Sequence, residues 1–213
     1  MKTPLRPSSK ALAPSAVEHL LSFRQGRPND ETLAIILVAQ RAGQGCLPVT
    51  LGLDPATFES LLQHHFTGCQ PWLARFSPGD LQLERAQLRQ QLLDLRRDEH
   101  QELTQLILRY RNHGDRSEGW LAEIIAAGCF GAGHLWQDLG LSSREHLRHL
   151  LHNNFSELVA KNVQDMRWKK YFYRLLCEEQ GGMLCRVPDC QQCCHFADCF
   201  EQQPKPPSGD DVR

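Results

Sequence analysis

The stretch LAIILVAQRAGQGCLPVTLGL (33–53) is matched by LAEIIAAGCFGAGHLWQDLGL (121–141) at ten of 21 positions, where composition alone would give about one or two. After one inserted residue the likeness continues from FESLLQHHF (58–66) to LRHLLHNNF (147–155). Such a repeat is one supersecondary unit used twice, and no segment alternates apolar and polar residues with the period of a strand. Each unit reads as a helix, a Gly-x-Gly connection, the tripeptide Leu-Gly-Leu and a second helix, over about 27–66 and 118–155. The second helices carry start signals: Asp54 before Pro55 at the first helical position, and Ser142 with Glu145 three residues on as a capping box. The expected fold class is therefore all-α, two related helix-loop-helix units joined by a long helix.

That joining segment is Asp80 to His113, with no glycine or proline and bracketed by Gly79 and Gly114. As one helix, with room for a kink, it would extend about 50 Å. Its apolar stripe runs Leu88, Leu92, Leu95, meets Glu99 where a hydrophobe is due, and resumes at Leu103, Leu106 and Tyr110. RRDEH (96–100) thus marks a break in packing, a bend or solvated face in preference to a polar site of Asp98, Glu99 and His100. A last helix is expected over Phe155 to Glu179, stopped by the Gly pair that follows. Residues 1–14 and 201–213 are proline-rich or polar without apolar anchors and read as disordered termini, flanking a helical domain (15–182) and a cysteine-rich segment (183–200).

Composition enters where partners are concerned. With 24 basic and 25 acidic residues the net charge is −1, so no global field draws the chain to nucleic acid or to an anionic membrane. The opening MKTPLRPSSKALAPS lacks the apolar core of a secretory signal, and the longest apolar run, Leu33 to Ala39, is too short to span a bilayer. A cytoplasmic protein is expected. In that reducing compartment nine cysteines, an odd number bunched toward one end, point to metal or redox chemistry and away from a disulfide framework.

Five of the nine lie in CRVPDCQQCCHFADC (185–199). Counted from Cys185 they give C-x4-C-x2-C-x5-C through Cys190, Cys193 and Cys199, with Cys194 as an extra neighbour. Four thiolates from one short loop suit a tetrahedral metal ion or a cubane-type iron–sulfur cluster, because both need soft anionic donors converging on a small volume. Structural zinc sites more often use two C-x2-C pairs far apart, so the bunched spacing favours a cluster. Zinc remains open, as does redox chemistry of the Cys190-x-x-Cys193 pair. Upstream, Arg167, Lys169, Lys170 and Arg174 interleave with Trp168, Tyr171, Phe172 and Tyr173. This pattern fits a helix with aromatics in a core and cations in water, or, with Arg186, a local positive patch, or a docking surface anchored by aromatic and arginine residues.

The segments HLWQDLGL (134–141), NVQDMRWKKYFYRLLCEE (162–179) and CRVPDCQQCCHFADCF (185–200) together resemble NifQ, a nitrogen-fixation family that handles molybdenum for assembly of the iron–molybdenum cofactor. The resemblance implies an iron–sulfur protein, with a [4Fe-4S] or [3Fe-4S] cluster, that carries molybdenum and passes it to the cofactor assembly scaffold and its iron-protein reductase. It places the family's four-cysteine pattern on Cys185, Cys190, Cys193 and Cys199, with Cys194 outside it as an alternative to Cys193. Molybdate, the form in which cells meet this metal, is a dianion that four thiolates with Asp189 and Asp198 would repel, which gives the nearby cations a use. A zinc-stabilised interaction module is the alternative reading.

The other candidates are weaker. His134 and Cys46 occupy equivalent places after the second glycine of Gly-x-Gly, and His134 is expected to be held by hydrogen bonds before it is expected to bind metal. Cys177 is expected to be buried, with an auxiliary thiol as its other use, and Cys69 and Cys129 are expected in the core. His195 would offer a nitrogen ligand to a metal other than iron. The pair His64 and His65 and the series His146, His149, His152 at helical spacing suggest a metal face, but are expected to be polar helix surface in preference to it. No catalytic triad, phosphate-binding glycine loop or carboxylate pair in a context suited to acid–base catalysis is recognised, so no enzymatic activity is expected.

Overall fold

Eleven helices and no strand make up the described residues, 14–76 and 79–179, of the computed structural model of this protein. In chain order they are α1 (Pro14–Leu21), α2 (Asp30–Arg41), α3 (Pro55–His65), α4 (Gln70–Arg75), α5 (Asp80–Leu95), α6 (Arg97–Leu108), α7 (Ser117–Gly128), α8 (Leu135–Asp138), α9 (Arg144–Asn154), α10 (Ser156–Lys161) and α11 (Trp168–Glu179). All-α is thus the fold class among the described residues. They fall into two compact units, one ending at Lys161 and the other beginning at Asn162. No described helix is long and apolar enough to cross a membrane.

The core of the first unit is built around the first helix of each repeat. In α7, SEGWLAEIIAAG is apolar on nearly every face, and Trp120, Leu121, Ala122, Ile124, Ile125, Ala126 and Ala127 are all buried. A helix apolar all round has to be central. Helices α3, α6 and α8 pack against it. In α2, the run Leu33, Ala34, Ile36, Leu37, Val38, Ala39 is buried likewise, with α1 packed alongside. Each buried leucine or isoleucine contributes about 1.5–3 kcal/mol.

The repeats interlock reciprocally. Gly52 (φ +94°) and Gly140 (φ +75°), the glycines of the two Leu-Gly-Leu tripeptides, take left-handed backbone conformations that glycine adopts without steric penalty. A methyl group on Gly52 would overlap the Cβ of Ala127, and one on Gly140 would overlap the Cβ of Ala39. Gly52 and Gly140 are 88 positions apart (140 − 52), as are Ala39 and Ala127 (127 − 39). Each repeat's tight turn therefore lies against the other repeat's first helix through the same two positions. The second helices also end alike: Phe66 (φ −139°, ψ 54°) caps α3 and Phe155 (φ −144°, ψ 53°) caps α9, and both rings are fully buried. Asn29 joins the repeats, its side chain meeting Ser117 Oγ at 2.8 Å and Asn154 at 2.7 and 3.0 Å.

Several expectations are corrected. The cap of α9 is Ser143, whose hydroxyl accepts the backbone N–H of His146 at 3.1 Å, and Ser142 is the inserted residue before it. Asp54 caps α3 as expected, accepting from Ala56 and Thr57 at 3.0 Å each. The segment 80–113 is two helices, because Arg96 leaves helical geometry (φ −115°, ψ 33°) and α6 ends at Leu108. The break holds α6 against α7 through Leu103, Leu106 and Ile107. Arg96 bonds Glu99 at 2.7 and 2.9 Å and covers the ring of Phe130 at 4.7 Å. Beyond α6, Glu118 accepts the N–H groups of His113 and Gly114 at 2.8 Å and fixes the connection to α7. The stripe predicted on α5 faces water: Leu88, Leu92 and Leu95 are 63%, 38% and 84% exposed, while Ala86 and Leu93 are buried.

The segment 155–179 is also not one helix. After α10 the chain turns through Asn162, whose amide donates to the Met166 carbonyl and whose oxygen accepts the Met166 N–H, both at 2.9 Å. Asp165 has φ +47° within this turn. The side-chain bridge satisfies backbone groups that a continuous helix would have paired internally. Helix α11 then starts afresh at Trp168.

Candidate functional site

Helix α11 carries most of the predicted contact residues that are described. Tyr171, Phe172 and Leu176 are buried, and Trp168 packs its ring 6.0 Å from Tyr171 and 5.9 Å from Phe172. Burial of Tyr171 and Phe172 matches the aromatic half of the core-and-water reading of this pattern. Arg167, Trp168, Lys169 and Lys170 are half-buried and Arg174 is exposed. The Arg174 guanidinium donates to Glu178 at 2.7 Å and reaches Gln164 Oε1 at 3.4 Å. An exposed ion pair of this kind is weak, so it orders Arg174 without removing its charge from a passing anion. Cys177 is half-buried on α11, where full burial was expected.

Cys185, Arg186, Cys190, Cys193, Cys194, His195 and Cys199 lie outside the described residues, as do the predicted disordered ends except Pro14, which opens α1. His134 is half-buried at the start of α8. Its N–H donates to Gln137 Oε1 at 3.0 Å, and its Nε2 is 3.3 Å from the guanidinium of Arg144. Among the described residues it joins no group of three metal-capable side chains. Cys69 and Cys129 are core residues as expected, and burial pushes the Cys69 thiol up to about 11. Cys46 points its thiol at the Gly128 carbonyl, 3.7 Å away.

Sequence reasoning ranked a metal face at His64 and His65 below a polar surface. Expected on a polar surface, they are drawn inward because Phe58, Leu61, Leu62 and His65 share the buried face of α3. Nδ1 of His65 meets Asp30 Oδ1 at 2.7 Å, and His64 Nε2 is 3.6 Å from Asp115 Oδ2. Burial holds His65 below its ordinary pKa, although the hydrogen bond and charge of Asp30 pull upward. His64, His65 and Asp115 form a group able to hold a metal ion, each offering a ligand atom within 4.8 Å of the others. The signal available beforehand was the spacing from Phe58 and Leu61 to His65, which puts an imidazole where an apolar side chain is due. In contrast, His149 and His152 are exposed, as expected of α9's outer face, and His146 is half-buried.

These features define a class: an all-helical protein among its described residues, built on a duplicated helical motif, whose last described helix precedes a five-cysteine segment. The NifQ family model matches residues 32–201, and the chain belongs to the NifQ family. It is 48% identical over 182 residues to Protein NifQ of Azotobacter vinelandii, covering 84% of this chain and 91% of the relative. Protein NifQ of Klebsiella pneumoniae is 37% identical over 161 residues (75% and 91%), and Protein NifQ of Rhodobacter capsulatus 36% over 163 (75% and 80%). No solved structure matches. Family membership gives the chain a role in nitrogen fixation.

Proposed function

We propose that this protein is an iron–sulfur molybdenum carrier, which binds molybdenum within a Mo–Fe–S cluster and donates it for assembly of the nitrogenase iron–molybdenum cofactor. The observation that carries the reading is the C-x4-C-x2-C-x5-C pattern of Cys185, Cys190, Cys193 and Cys199 inside the family-matched stretch 32–201. Thiolates are soft donors suited to iron and to sulfide-bound molybdenum, and a segment with five of them fits that group by donor chemistry. The cluster supplies bridging sulfides in which molybdenum can be held. The chain's own part is to offer deprotonated thiols, so loading weakens as pH falls. Cations preceding the segment, Lys169, Lys170 and Arg174, favour approach of molybdate, a dianion. Transfer to the assembly scaffold and its iron-protein reductase, in the cytoplasm, requires no catalysis by this chain.

The test is elemental analysis of full-length protein purified without oxygen. Iron, labile sulfide and molybdenum are expected together, in a brown protein. Cys185→Ala, Cys190→Ala and Cys199→Ala should each lose iron and sulfide, and Cys46→Ala should keep them. Colourless protein without iron or sulfide, holding zinc that the same three substitutions remove, would replace the carrier by a zinc-stabilised interaction module.

A further inference from the structure

Helix α3 closes on two adjacent histidines at a depth where polar atoms need partners. His65 is 0% exposed at its side chain, and its Nδ1 lies 2.7 Å from Asp30 Oδ1. The other oxygen of Asp30 accepts the backbone N–H of Arg27 at 2.7 Å. A carboxylate only accepts, so the imidazole hydrogen sits on Nδ1 and Nε2 carries a bare lone pair. That Nε2 is buried with no hydrogen-bond partner among the described residues, and the same holds for Nε2 of His64. Asp115 is fixed through Oδ1, which accepts the Ser117 N–H at 2.8 Å, and it turns Oδ2 toward His64.

We infer that His64, His65 and Asp115 bind one divalent transition cation of the zinc and ferrous-iron class, with Asp30 as the outer carboxylate that orients His65. Two ligands of a common tetrahedral ion, each about 2.0–2.1 Å from it, stand roughly 3.4 Å apart. The 3.6 Å between His64 Nε2 and Asp115 Oδ2 is near that value, and too long for a hydrogen bond between them. A carboxylate on the far nitrogen of a ligating imidazole is the usual outer partner of such sites, since it sets the tautomer and the ring orientation. Charge balances as well, because a dication is neutralised by Asp115 and Asp30 together. The indole of Trp120 stands edge-on to both imidazoles at 5.4 and 5.8 Å and shields one side. His64 lines a neighbouring cleft of about 570 Å³ with Gln63, Arg27 and Arg116, which offers a way in. Two imidazoles and one carboxylate leave a coordination position for water or a second ligand. The donors are nitrogen and oxygen, so this site selects differently from the cysteine segment, and it does not depend on the carrier function proposed above.

The test uses the full-length chain with Cys185, Cys190, Cys193, Cys194 and Cys199 replaced by serine, so that sulfur does not compete for metal. Calorimetric titration with Zn²⁺ should show one equivalent bound. His64→Gln and Asp115→Asn should each weaken Kd by more than about tenfold, and Asp30→Asn by about ten- to a hundredfold. Titration with Co²⁺ should give visible bands without thiolate charge transfer. His65→Gln replaces a fully buried ring, so the nearer-surface His64→Gln and Asp115→Asn variants, checked for helical content by circular dichroism, decide the matter. In the otherwise unaltered chain, His64→Gln should bind one zinc fewer. No zinc in the serine chain, or zinc unaffected by His64→Gln and Asp115→Asn in folded protein, would overturn the site and leave the trio holding only water.

Discussion

Gly140→Ala tests how the two repeats are locked together. Gly140 has φ +75°, and a side chain there would run into Ala39, which is fully buried in α2. Alanine in the left-handed region costs about 1–2 kcal/mol, and forcing a methyl group into a close-packed contact costs about 1–3 kcal/mol more. Reduced freedom of the unfolded chain offsets about 0.4–1 kcal/mol. The net loss is about 3 kcal/mol, a fall in Tm of roughly 6–12 °C for a chain of this size. Ala39→Gly alone should cost about 1 kcal/mol as a glycine inside a helix. Combined, the two substitutions should lose less than their sum by about 1–3 kcal/mol, since removing the Ala39 methyl makes room for the new one and leaves only the backbone penalties. Urea unfolding of the full-length chain, followed by far-ultraviolet circular dichroism with unchanged m value, measures all three. Gly52→Ala with Ala127→Gly should repeat the pattern at the equivalent contact. Additivity within about 0.5 kcal/mol at both pairs would refute the reciprocal packing.

Ser143→Ala should destabilise by about 1 kcal/mol through loss of the α9 cap, while Ser142→Ala should stay within about 0.5 kcal/mol of the parent in the same urea assay. Phe155→Ala and Phe66→Ala, each removing a fully buried ring at an equivalent position, should each cost about 3–5 kcal/mol; a variant of either with unchanged midpoint would contradict the burial. Stability should also depend on pH through His100. Its Nε2 donates to the Glu123 carbonyl at 3.0 Å, its ring meets Phe130, and burial holds its pKa below the ordinary 6.5 despite that hydrogen bond. The unfolded chain therefore takes up a proton before the folded one does, so stability present above pH 6.5 is lost as pH falls from 6.5 through the lower folded value. His100→Gln should flatten the urea midpoint against pH in that window, and an unchanged slope would contradict it.

Much of the scaffold was legible because it rests on local rules. The absence of strand periodicity, the Asp54-Pro55 helix start and the alternation of aromatic with basic residues from Arg167 to Arg174 are short-range patterns that set backbone conformation and facing before any tertiary contact forms. The cysteine spacing is legible for the same reason: thiol donors within fifteen residues are close in space whatever the rest of the chain does.

Tertiary structure decided what depends on partners distant in sequence. Leu88, Leu92 and Leu95 form a good helical stripe, yet whether a stripe meets a core depends on which neighbours arrive, and α6 turns at Arg96 to meet α7 without bringing that face of α5 along. Gly52 and Gly140 read as turn residues, but only packing shows that each lies against the other repeat's alanine. His64 and His65 read as helix surface until Asp30, 35 positions away, and Asp115, from the loop before α7, are folded around them. The helical class, the duplication and the sulfur donors can be read from the amino-acid order alone, whereas the breaks at Arg96 and after Lys161 cannot. Only the folded chain brought two imidazoles and two carboxylates together, because that proximity comes from burying apolar faces of α2, α3 and α7 against the core, and no short-range pattern records it.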